Sequence, residues 1–115
     1  MNANSRLGVG VLRDESVAGS YSINAGVEVT LEAVLTSVYT ASTGRGRRIP
    51  FEIRLVAEAA GIQFRSKTAV VGFPIAPVTT GNHTSINLDN AVNPASFILA
   101  NTSGGVLVLY VLCLE

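Results

Sequence analysis

Apolar and polar residues alternate with period two along two long stretches of this chain. Val27, Val29, Leu31, Ala33, Leu35 and Tyr39 occupy odd positions, while Glu28, Thr30, Glu32, Thr36 and Thr40 occupy even ones. Ile49, Phe51, Ile53, Leu55, Ala57 and Ala59 resume the alternation against Glu52, Arg54 and Glu58. Successive strand side chains point to opposite faces, so each stretch predicts a strand with one buried face. Leu31, Val34, Leu35 and Val38 also fit the three-to-four spacing of a helix. The density of β-branched residues and the lack of a recognisable cap favour the strand. Between the two stretches lie Ser42, Thr43, Gly44 and Gly46, a loop composition. Together they predict a β-hairpin with Arg45, Arg47 and Arg48 at its tip.

A third segment is apolar throughout. Val106-Leu107-Val108-Leu109-Tyr110-Val111-Leu112-Cys113-Leu114 offers two apolar faces rather than one. Phe97-Ile98-Leu99-Ala100 is expected to pair with it across Asn101-Thr102-Ser103-Gly104-Gly105, whose glycines can take positive φ. Shorter strands are predicted over Arg6–Leu12, around Tyr21–Ala25, from Ile62 towards Phe73 and at Ser85–Leu88. Pro74 and Pro77 confine Phe73–Gly81 to an edge or a loop. Seven to nine strands without a helix predict an all-β fold, a β-sandwich of jelly-roll or Greek-key order. Residues 1–5 are expected to form a flexible leader, and residues 6–115 a single β-sandwich domain. The terminal strand is expected to lie centrally in its sheet. One of its faces belongs to the core, and the other, with Val106, Val108, Tyr110 and Leu112, is the candidate subunit interface.

Composition strengthens that expectation. Charged residues make up only 14% of the 115 residues and hydrophobic ones 48%, against about 25% charged in ordinary domains. So few charges would cover a lone monomer thinly, which points to an oligomer. Acidic and basic residues cancel overall, yet the segment Ala41–Lys67 carries +4 and the remainder −4. That asymmetry suits an acidic partner surface, and it makes Arg45, Arg47 and Arg48 candidate docking residues. Without a basic arm or excess positive charge, direct nucleic-acid binding is not expected. Nor is a membrane span, since no apolar stretch is long enough. The chain shows no signal core and is expected to be made in a cytoplasm.

Candidate chemistry is thin. His83 lies near Thr84, Ser85 and Asp89, which are the residue types of a triad, but no strand-turn-helix elbow or Gly-flanked serine accompanies them. Glu28 and Glu32 would stand about 13 Å apart on one strand face, too far for a glycosidase pair. The Asn82–Asn93 stretch lacks the acids of a calcium loop, and Gly44-Arg45-Gly46-Arg47-Arg48 lacks the ending of a phosphate-binding loop. Cys113, the only cysteine, is expected to be a buried inert thiol. No enzyme activity, cofactor or metal is expected.

The small all-β domain, the Ala/Gly/Thr/Asn-rich surface and the closing segment Phe97-Ile98-Leu99-Ala100-Asn101-Thr102-Ser103-Gly104-Gly105-Val106-Leu107-Val108-Leu109 resemble the decoration (cement) proteins of tailed-bacteriophage capsids. The resemblance implies a homo-oligomer, a trimer, seated on the outer surface of the virion. Its partner would be the major capsid protein, which it would clamp against internal pressure. Two alternatives stay open. One is a receptor- or glycan-binding jelly-roll module of a phage tail or fibre, and the other a self-assembling jelly-roll shell protein.

Overall fold

A computed structural model describes residues 16–43, 50–88 and 93–115. Its elements follow in the order β1 (Ser16–Ile23), β2 (Glu28–Thr30), α1 (Leu31–Thr43), β3 (Glu52–Ala57), β4 (Ile62–Ser66), β5 (Phe73–Pro74), β6 (Thr84–Asn87), β7 (Phe97–Asn101) and β8 (Leu107–Leu114). Short 3-10 turns occupy Val78–Thr80 and Pro94–Ser96. One sheet has the order β1-β8-β3-β6 and the other β2-β7-β4-β5, with every strand pairing antiparallel. Eight strands in these two orders make an all-β sandwich of jelly-roll topology. As expected, β8 is central, flanked by β1 and β3. The predicted strand over Arg6–Leu12 and the 1–5 leader lie outside the described residues.

The first alternating stretch is not a strand of a hairpin. Only Glu28–Thr30 is extended, and Leu31–Thr43 is helical. Helix spacing prevails because Leu31, Val34, Leu35, Val38 and Tyr39 are all buried, whereas Ala33, which period two places inside, is exposed. A cap is also present: the Ala33 N–H donates to Thr30 Oγ1 at 3.1 Å. Glu32 in the first turn suits the positive end of the helix dipole. α1 packs against β1, and Gly19 permits the approach. A Cβ there would lie 3.1 Å from Val38 Cγ1. Ser42 Oγ donates to the Ala18 carbonyl at 3.1 Å and fixes the far end of the helix to the same strand.

The expected closing hairpin is also absent, because β7 and β8 belong to different sheets. β7 pairs with β2 and β4, and β8 with β1 and β3. The connection crosses the sandwich around the buried amide of Asn101. Its Nδ2 donates to the Ile23 and Gly105 carbonyls, both at 2.8 Å. Its Oδ1 accepts from Ser103 N at 2.9 Å and from Ser103 Oγ at 2.7 Å. A side chain able to satisfy both strands and the turn at once makes a crossing, rather than a tight hairpin, the favourable path.

Between the sheets, Ile53, Leu55, Ile62, Phe64, Leu99 and Leu109 share one hydrophobic core with the buried residues of α1. Phe64 stacks on Phe97 with ring centroids 5.3 Å apart. The prolines act as expected, since Phe73–Pro74 forms a two-residue edge strand. The predicted strand at Ser85–Leu88 is found as β6, and the Ala69–Gly72 part of the longer predicted strand is a turn. Among the described residues no helix is long and apolar enough to cross a membrane.

Candidate functional site

The two apolar faces of β8 have different fates. Leu107, Leu109, Val111 and Cys113 are buried in the core. Val106, just before the strand, and Tyr110 are 56% and 46% exposed, and Val108, Leu112 and Leu114 are half-buried on the outer face. The expected division of the segment into a core face and an outward face therefore holds, and the candidate residues Val106, Val108, Tyr110 and Leu112 stand together on the outward one.

Register gives this face its composition. Leu112 sits between Ala18 of β1 and Arg54 of β3, and Tyr110 between Ser20 and Val56. Further out, Ser85 of β6 pairs with Arg54. Small residues on β1 leave the β8 side chains standing above their neighbours. The result is an open hollow of about 410 Å³ whose floor includes Ala18, Val56, Tyr110 and Leu112, with Arg54 and His83 at its rim. Arg54 Nε donates to Glu52 Oε2 at 3.2 Å. That pairing leaves the hollow with little net charge. The lining thus combines an apolar floor with the polar groups of Arg54, His83 and Tyr110.

The other sequence candidates are not brought together. His83 is exposed, Thr84 Oγ1 accepts from the Ala76 N–H at 2.9 Å, and Asp89 lies outside the described residues. Glu28 meets Arg65, which reaches across β7 from β4, and Glu32 lies on α1, so the two acids share no strand face. Among the described residues no cluster of three or more His, Cys, Asp or Glu side chains could hold a metal ion. Arg45, Arg47 and Arg48 lie outside the described residues. Cys113 is buried beside Tyr39 and Glu115. Burial pushes its thiol up to about 11, opposed by the Tyr39 hydrogen bond and reinforced by the Glu115 charge. Tyr39 is likewise raised, first by burial and then by its hydrogen bond to Glu115.

One exposed feature escapes the sequence pattern. In the turn between β4 and β5, Val70 is 92% and Val71 78% exposed, with the half-exposed ring of Phe73 beside them. Adjacent valines between Ala69 and Gly72 read as strand by composition. The signal against that reading is Gly72, where a Cβ would fall 2.2 Å from the Phe64 carbonyl oxygen. Comparison with protein-family models, with curated proteins and with solved structures finds no match to this chain.

Proposed function

We propose that this chain is a structural assembly protein of a virus particle: a decoration or cement protein that forms a homotrimer on the outer capsid surface and bridges major capsid proteins. The observation that carries this reading is the outward apolar face of the β8 segment, with Val106, Val108, Tyr110 and Leu112 in the middle of the sheet. Jelly rolls serve in capsids and in lectins alike, so topology alone does not choose between functions. An apolar strip in mid-sheet, on a chain with 14% charged residues, is a surface that gains by being covered. Cementing needs no chemistry beyond that. Each subunit adds buried area across a joint between capsid proteins, and the joint resists being pulled apart.

A second reading draws on one observation. Tyr110 stands exposed at the hollow with Arg54 and His83 nearby, and an aromatic face with polar neighbours is a means of holding a sugar ring. That reading gives a glycan-binding module. Two measurements separate the two. Light scattering at micromolar concentration should give a trimer mass; a monomer refutes the trimer. Sedimentation with empty capsids built from the major capsid protein of the same genome should carry the chain down, and failure to do so refutes the cement role. A glycan binder ignores such capsids and is retained on a carbohydrate column through Tyr110.

A further inference from the structure

Among the described residues, two of the exposed apolar features lie in different places. The hollow lies on the outer face of the β1-β8-β3-β6 sheet, whereas Val70 and Val71 project from a turn of the opposite sheet. No residue belongs to both. The turn is also firmly held while its two valines stand in water. The Lys67 N–H donates to the Ser96 carbonyl at 2.8 Å, Ala69 N to Ser66 O at 3.1 Å, and Arg65 Nη1 to the Ala69 carbonyl at 2.7 Å. On the far side, the Gly72 backbone packs against Phe64, and the Phe73 ring lies 5.4 Å from the Phe64 ring. Backbone anchors on both sides of an apolar tip fix its shape before any partner arrives, which lowers the ordering cost of docking it.

We infer that the Val70–Val71 tip of one copy seats in the Ala18–Val56–Tyr110–Leu112 hollow of the next, a head-to-tail contact between copies of this chain. This contact deepens the proposed assembly role and rests on it. Face-to-face pairing of two hollows would cover the β8 strip and leave both valines in water, whereas tip-into-hollow contact covers both features with one interface. One opposite-charge pair is available to the contact, while Arg54 at the rim is already paired with Glu52. Lys67 is exposed at the base of the tip, and Glu58 is exposed one row beyond Val56 and Tyr110, where its Oε1 accepts from Val108 N at 3.0 Å. A contact between unlike surfaces propagates from subunit to subunit, and it closes into a ring when the rotation allows, a threefold ring for a trimer.

Complementation tests this directly. A tip variant, Val70→Glu with Val71→Glu, retains an intact hollow; a hollow variant, Tyr110→Glu, retains an intact tip. Ala18→Arg, which fills the hollow from an exposed position, serves as a second hollow variant should Tyr110→Glu melt early. Light scattering of wild type is expected to show the oligomer and of each variant alone the monomer, with circular dichroism confirming the fold. Mixing tip and hollow variants is expected to give a one-to-one dimer that grows no further, because each dimer holds one intact contact. Variants that remain oligomeric, or monomers that fail to pair on mixing, would overturn the contact while leaving the assembly role standing. A monomeric wild type would overturn both.

Discussion

Replacing Asn101 with alanine is the sharpest perturbation the fold offers. The amide makes four hydrogen bonds of 2.7 to 2.9 Å, and the residue is 1% exposed. The two carbonyls it serves differ in consequence. Gly105 is exposed and its oxygen can turn to water, but the Ile23 carbonyl belongs to a residue that is itself 1% exposed. Orphaning a buried acceptor costs about 1 to 3 kcal/mol, and each further lost bond about 1 kcal/mol before rehydration. With one orphaned acceptor and three further bonds, the latter largely regained from water, the net for Asn101→Ala is about 3 kcal/mol. At roughly 4 °C per kcal/mol for a domain of this size, the melting temperature should fall by about 12 °C. Calorimetry with urea unfolding provides the assay. A loss below about 1 kcal/mol would refute the assignment of the crossing to this amide.

Asn101→Asp adds a sign to the same test. The substitution retains an acceptor for Ser103 but turns a carboxylate oxygen towards two carbonyl oxygens that Nδ2 now holds at 2.8 Å. At neutral pH it should be less stable than Asn101→Ala. Burial and the facing carbonyls favour the protonated acid, so the native state binds the proton more tightly than the unfolded state does. Stability must then rise as pH is lowered towards the ordinary carboxyl range. An Asn101→Asp variant as stable as wild type at neutral pH would mean that the amide nitrogen does not face the Ile23 and Gly105 carbonyls.

Three further outcomes are expected. Thr30→Ala removes the α1 cap and should cost about 1 kcal/mol, read as a lower urea midpoint with unchanged slope. Gly72→Ala forces a Cβ to within 2.2 Å of a backbone oxygen and should cost about 1 to 3 kcal/mol or more, with Gly19→Ala milder because Val38 can yield. Cys113 should resist a thiol reagent at mildly alkaline pH until the chain is unfolded. Its folded value of about 11 stands above the ordinary value of 9.0. The native state therefore retains the proton, and stability present below pH 9.0 is lost as pH rises towards about 11. Cys113→Ala should flatten that decline, leaving the share contributed by Tyr39.

The parts legible in the sequence are those where one physical signal acts alone. β8 is marked by an apolar run no loop could carry, and its central place follows from the need to cover two faces. β3 is visible in clean alternation, and the edge at Phe73–Pro74 in its prolines. Legibility fails where two periods overlap. Between Val27 and Tyr39, alternation and helix spacing share Leu31, Leu35 and Tyr39, and Ala33, Val34 and Val38 separate them; the cap at Thr30 is one threonine in a threonine-rich segment. The β7–β8 connection misleads for another reason. Asn and Gly signal a turn without saying whether the chain returns to the same sheet, and the deciding bond joins Asn101 to Ile23, far away along the chain. Of the site, the outward face of β8 is legible, but the hollow is not. It arises from small residues on β1 placed by cross-strand register, which a single sequence does not display.

The pairing of β1 with β8, Ser16 against Leu114, sets the order of events in the life of the molecule. During synthesis β1 and β3 leave the ribosome long before the strand that belongs between them. Until residues 107–114 follow, that sheet has an open slot along its middle and the core has no Leu109, Val111 or Cys113 to close on. Such long-range closure is slow. It also means that the outward strip of β8 does not exist until that slot is filled. Any contact made through that strip therefore waits until β8 has closed the sheet.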